Sequence, residues 1–132
     1  MSNQNVTVQV EAKDACVSGG YGKEVAKIPS NTLLQITCKP DEYWQLDGNL
    51  RSNANGLDSY RYSKNNHTFR TGSLVGSFDE GVTFFSVGTH LQRRVTEVLP
   101  SGDDPTLRLY CWGAGKAHNS GTIKADIRLI TN

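Results

Sequence analysis

Strict alternation of apolar and polar residues at both ends is the feature that most constrains what this chain folds into. Near the C-terminus, Ile123, Ala125, Ile127 and Leu129 alternate with Lys124, Asp126 and Arg128. Near the N-terminus, Val6, Val8, Val10 and Ala12 alternate with Thr7, Gln9 and Glu11. Leu107, Leu109 and Cys111 stand in the same relation to Thr106, Arg108 and Tyr110. A period of two sends successive side chains to opposite faces, so each run predicts a strand with one face packed and one in water. Shorter apolar runs cover 33–38, 73–78, 82–87 and 91–98. Turn-forming segments separate the runs: Gly19-Gly-Tyr-Gly22, Asp79-Glu-Gly81 and Pro100-Ser-Gly-Asp-Asp-Pro105. Pro29, just ahead of Thr32-Leu-Leu, suits the approach to a strand rather than its interior. No segment of ten residues carries a helical stripe. Seven to nine short strands joined by turns describe an all-β sandwich or barrel. A length of 132 residues predicts one domain, 1–132.

The stretch 47–71 departs from this pattern. It is polar, rich in Asn, Ser and Arg, and shows no clear strand. A connection of that length in a compact domain is usually functional or disordered. Tyr60, Tyr62 and Phe69 argue against full disorder, because aromatic rings give the segment something to pack.

Charge excludes some partners. Fourteen Lys and Arg against thirteen Asp and Glu leave a formal net charge of +1, which makes no case for nucleic acid or an anionic membrane. The small net charge suits self-association into a homo-oligomer. No apolar run is long enough to span a bilayer, so no membrane insertion is expected. The first residues have neither a basic nor an apolar signal region. Cys16, Cys38 and Cys111 are an odd, widely spaced set without a C-x-x-C pattern. Buried reduced thiols are one arrangement and a Cys16–Cys38 bridge the other; the first implies a reducing, cytoplasmic compartment, or a protein exported by a non-classical route.

Nothing in the chain assembles an enzyme. His67, His90 and His118 lie near no recognisable nucleophile motif, and P-loop, dinucleotide and metalloprotease signatures are absent. Asp103-Asp104 sits between Gly102 and Pro105, where aspartates serve turns. Asn5-Val-Thr and Asn66-His-Thr match glycosylation acceptors, which carry weight only with a secretory signal. A binding module needs less. Loop amides, carboxylates and imidazoles hydrogen-bond sugar hydroxyls, and aromatic rings cover apolar sugar faces. The loops 47–71 and 113–121 hold such residues, although a plain hairpin turn also accounts for the second.

At this loop a family resemblance emerges. Leu107-Arg-Leu-Tyr-Cys-Trp, the glycine-rich loop and His118-Asn-Ser-Gly-Thr-Ile-Lys-Ala-Asp-Ile resemble the end of the bacterial PA-I galactophilic lectin family. Gly72-Ser-Leu-Val-Gly, Thr89-His-Leu-Gln-Arg-Arg-Val and Leu34-Gln-Ile-Thr-Cys with Trp44-Gln-Leu-Asp-Gly48 are similar to its earlier segments, in order. The resemblance implies a jelly-roll-like sandwich of two antiparallel sheets, a homo-oligomer (dimer or tetramer), and a galactose-type site closed by calcium. The implied calcium ligands are largely not kept: Cys111, Gly115 and His118 stand where the family has oxygen donors, leaving Asp47 and Asn119 as weak calcium candidates. The expectation is therefore a carbohydrate-binding protein without a cofactor. Asn119 and His118 would bond hydroxyls, Asp47 would accept from them, and Trp112 or Tyr60 would stack. The alternative is a structural or protein-interaction module with the same fold and no sugar site.

Overall fold

The computed structural model describes residues 2–46, 49–115 and 117–131. The protein is an all-β sandwich of two antiparallel sheets that do not close into a barrel. The first sheet runs in the order β1 (Ser2–Glu11), β12 (Thr122–Thr131), β3 (Leu33–Cys38), β10 (His90–Arg94). The second runs β2 (Lys23–Lys27), β11 (Thr106–Cys111), β8 (Leu74–Ser77), β9 (Phe85–Ser86). Two ribbons complete it: β4 (Trp44–Gln45) with β5 (Arg51–Ser52), and β6 (Arg61–Lys64) with β7 (His67–Arg70).

The terminal strands behave as their alternation predicts. β1 and β12 pair over ten residues from Ser2↔Thr131 to Glu11↔Thr122, and Val8, Val10, Ile123, Ala125, Ile127 and Leu129 are buried between the sheets. From the second sheet, Leu74, Leu107, Leu109 and Cys111 enter the same core. All three cysteines are reduced and buried, and no Cys16–Cys38 bridge forms. Instead Cys16 lies in a parallel bridge with Cys111, held by Val17 N–H to Cys111 O (3.0 Å) and Cys111 N–H to Ala15 O (2.9 Å).

Tyr110 departs from the simple alternation: it is 6% exposed although it faces away from the first core. A second core lies there, on the outer face of the second sheet, made of Val17, Val75, Phe84, Tyr110 and Trp112. The β6–β7 hairpin covers it, with Tyr62 and Phe69 packed inward. Trp112 is the hub, edge-on to Phe69 (4.9 Å), Phe84 (5.0 Å) and Tyr62 (5.8 Å). Its indole N–H donates to the Tyr62 carbonyl at 2.6 Å.

The expectation that 47–71 lacks a clear strand is thus corrected. The segment holds β5 and a complete two-residue hairpin. Asn65 and Asn66 both have positive φ (51° and 67°), the backbone that closes a tight hairpin with the right twist. The run predicted over 82–87 shortens to Phe85–Ser86, because Asp79 and Thr83 bind the preceding turn: Asp79 Oδ1 accepts from Thr83 N–H (2.8 Å) and Oδ2 from Thr83 O–H (2.6 Å).

Candidate functional site

The 113–121 loop singled out by sequence is joined not to the 47–71 segment but to β4, just ahead of it. Gln45 N–H donates to Ser120 O at 2.8 Å, and Ser120 N–H returns to Gln45 O at 2.9 Å. This paired bridge locks β4 against the loop between β11 and β12. Gly121 makes the approach possible, since a Cβ there would lie 3.1 Å from Trp44 Cα. Strand alternation then sorts the neighbours: Trp44 points inward, 1% exposed, while Gln45 points to solvent and Tyr43 stays 44% exposed. Arg51 stands over the Tyr43 ring at 4.7 Å, a cation–π contact that fixes the ring's position. Gln45 Nε2 donates to Asn49 Oδ1 at 3.2 Å; Ser120, bridged to Gln45, is exposed, as is His118 two residues before it in the loop. Contacts thus link an aromatic ring, two amides and the Ser120 backbone in one neighbourhood, with the exposed His118 nearby in sequence.

The residues nominated from sequence fare differently. His118 is exposed in the loop as expected. Asn119 is not presented to solvent: it is 7% exposed and its amide donates to Ala12 O at 3.0 Å. It pins the loop to the end of β1. Trp112 has no exposed face to stack on a ligand, because it fills the second core. Tyr60 is 51% exposed, but no hydrogen bond or ring contact among the described residues joins it to the 113–121 loop. Asp47 lies outside the described residues. Tyr43 is the aromatic that sequence reading missed. Its signal was available: beside a buried Trp44 on a short strand, both neighbours face out.

Of the positions implied for calcium, Cys111 and Gly115 offer no oxygen donor from a side chain. Cys111 is buried in the first core, and burial holds its thiol well above the ordinary range, so it stays protonated. Gly115 has no side chain, and the Asn119 side chain uses its amide nitrogen on Ala12 O at 3.0 Å, a bond that does not engage its Oδ1. Among the described residues, no group of three or more His, Cys, Asp and Glu is gathered closely enough to hold a metal ion. No helix among them is long and apolar enough to cross a membrane.

Asn119→Ala is expected to lower folding stability by about 1–3 kcal/mol, because it leaves the Ala12 carbonyl buried and without its donor. Urea denaturation followed by circular dichroism measures this; an unchanged midpoint would show that Asn119 is not a structural pin.

No protein-family model matches this chain, and no curated protein matches it in sequence.

Proposed function

We propose that this protein binds carbohydrate, of the galactose type or a related sugar, without a metal ion, on the surface of Tyr43, Gln45, Asn49, His118 and Ser120. The observation that supports this reading is the Gln45–Ser120 bridge, which joins the strand beside an exposed, braced aromatic ring to the loop that carries His118 and Ser120. A tyrosine face covers the apolar face of a pyranose, and planar amides take its hydroxyls in pairs. Because Arg51 already braces the ring, little freedom is lost when a sugar docks.

The test is a glycan array, run with calcium and with a chelator, for the wild type and for Tyr43→Ala. Binding that ignores the chelator and falls roughly tenfold or more in the variant is expected. Tyr43 is exposed, so the variant's stability should stay within about 0.5 kcal/mol of wild type. Chelator-sensitive binding would overturn the metal-free reading, and silence in both conditions would overturn sugar recognition.

One observation favours the alternative, a protein-interaction module. β1 is an edge strand of ten residues, and its exposed positions Asn3, Gln4, Asn5, Thr7 and Gln9 carry neither charge nor proline to discourage pairing, the exposed charge of Glu11 standing at its very end. That reading requires a stable oligomer through β1, so a monomer in light scattering would remove it.

A further inference from the structure

A cleft of about 410 Å³ lies between the β6–β7 hairpin and the β8–β9 side of the second sheet, away from the surface just described. Asn55, Arg61, Thr68, Arg70, Ser73 and Ser86 line it.

Three features of this cleft are unfavourable in the protein alone. First, Arg61 and Arg70 are direct cross-strand partners in the hairpin. Like charges placed opposite each other repel. Secondly, their compensation is incomplete. Arg61 Nη1 donates to the carbonyls of Asp58 (2.9 Å), Tyr60 (3.2 Å) and Leu57 (3.4 Å), which hold the guanidinium in place but bring no full negative charge. Arg70 pairs with Asp58 Oδ1 at 3.0 Å, but that carboxylate is 89% exposed and strongly screened. Thirdly, Ser73 is 4% exposed and its hydroxyl has no hydrogen-bond partner among the described residues. A buried polar group is rarely left this way.

The remaining groups point in the same direction. Asn55 Oδ1 already accepts the Thr89 N–H at 2.9 Å, which leaves the amide NH2 as its unused end. Among the described residues, no carboxylate lines the cleft. Two guanidinium groups, an amide donor and a buried hydroxyl form a set of donors faced, among the described residues, by one exposed and screened carboxylate, that of Asp58.

We propose that this cleft is a binding site for a tetrahedral oxyanion, sulfate or phosphate, free or carried as an ester on a larger molecule. The anion would bridge Arg61 and Arg70, turning their repulsion into shared attraction, since guanidinium forks match such oxygens in pairs. Ser73 would donate from the floor of the cleft. The site is independent of the Tyr43 surface and stands whether or not that surface binds sugar.

The test is a titration of the full chain with sodium sulfate, and separately with inorganic phosphate, at constant ionic strength, followed by backbone amide NMR. Saturable shifts confined to the residues around Arg61, Thr68, Arg70 and Ser73 are expected. Arg61→Gln and Arg70→Gln should each weaken binding tenfold or more, whereas Arg94→Gln, on β10, should leave it unchanged. No saturable shift, shifts elsewhere, or equal losses in all three variants would overturn the proposal. The wild-type map decides the question even where a variant fails to fold. A sulfated monosaccharide compared with its unsulfated parent separates the two sources: tighter binding than sulfate alone identifies an ester, and equal binding a free anion.

Discussion

Trp112→Ala is expected to cost about 3–5 kcal/mol of folding stability, the usual range for removing a fully buried tryptophan. Several losses coincide at this position. The side chain is 0% exposed, so its whole apolar area would be replaced by a void. Three edge-on ring contacts disappear, with Phe69, Phe84 and Tyr62. The Tyr62 carbonyl also loses the indole N–H that it accepts at 2.6 Å. Since small domains are stable by only about 5–15 kcal/mol, that loss removes a large share of the protein's stability. Trp112→Phe separates the contributions, keeping most of the packing and losing the hydrogen bond, at an expected cost of about 1–2 kcal/mol. Urea denaturation by circular dichroism measures both, and a loss below about 1 kcal/mol in the alanine variant would refute the hub role.

Gly72→Ala is expected to rank second, at about 2–6 kcal/mol, and for different reasons. Gly72 has φ +89°, a backbone that side-chain-bearing residues adopt only with strain of about 1–3 kcal/mol. A Cβ there would also lie 2.6 Å from Ser52 Oγ, 2.7 Å from Ser52 Cβ and 2.9 Å from Leu46 Cδ1, which adds an overpacking cost of about 1–3 kcal/mol. The position joins both tryptophans: Gly72 N–H donates to Trp112 O at 2.7 Å, and Gly72 O accepts the Trp44 indole N–H at 2.8 Å. Gly102 is an internal control, with φ +86° and nothing within 4 Å of where an alanine Cβ would stand. Gly102→Ala should therefore show the strain without the clash. Equal effects at the two glycines in thermal denaturation would mean that crowding at Gly72 is unimportant.

The sequence disclosed the sandwich better than it disclosed the site. β1, β12 and the Leu107–Leu109–Cys111 face were legible because each buries one side only, and one-sided burial is what a period of two records. The outer face of β11 was not legible. Tyr110 alternates like a solvent-facing residue, and only the hairpin lying over it makes that face a core. The hairpin itself was hidden by its chemistry: its turn is Asn-Asn without glycine, and its inward residues Tyr62 and Phe69 are separated by Ser, Lys, Asn, His and Thr. At the candidate site, sequence singled out the 113–121 loop but not the β4 strand it pairs with, and it could not give side-chain direction. Asn119 and His118 are neighbours of similar polarity, yet one is buried against Ala12 and the other is exposed. Hydrogen bonds between residues a hundred positions apart decide that difference, and no local pattern encodes them.

The two cores divide the chain's two tryptophans between them, Trp44 in the space between the sheets and Trp112 beneath the hairpin. Each indole is therefore a native fluorophore for a different layer. Two single-tryptophan proteins, each with the other indole replaced by phenylalanine, report separately on the inner and outer layers during one thermal melt. Coincident emission transitions would identify one cooperative unit. An earlier Trp112 transition would identify the hairpin as a cover that opens while the sandwich beneath it remains intact.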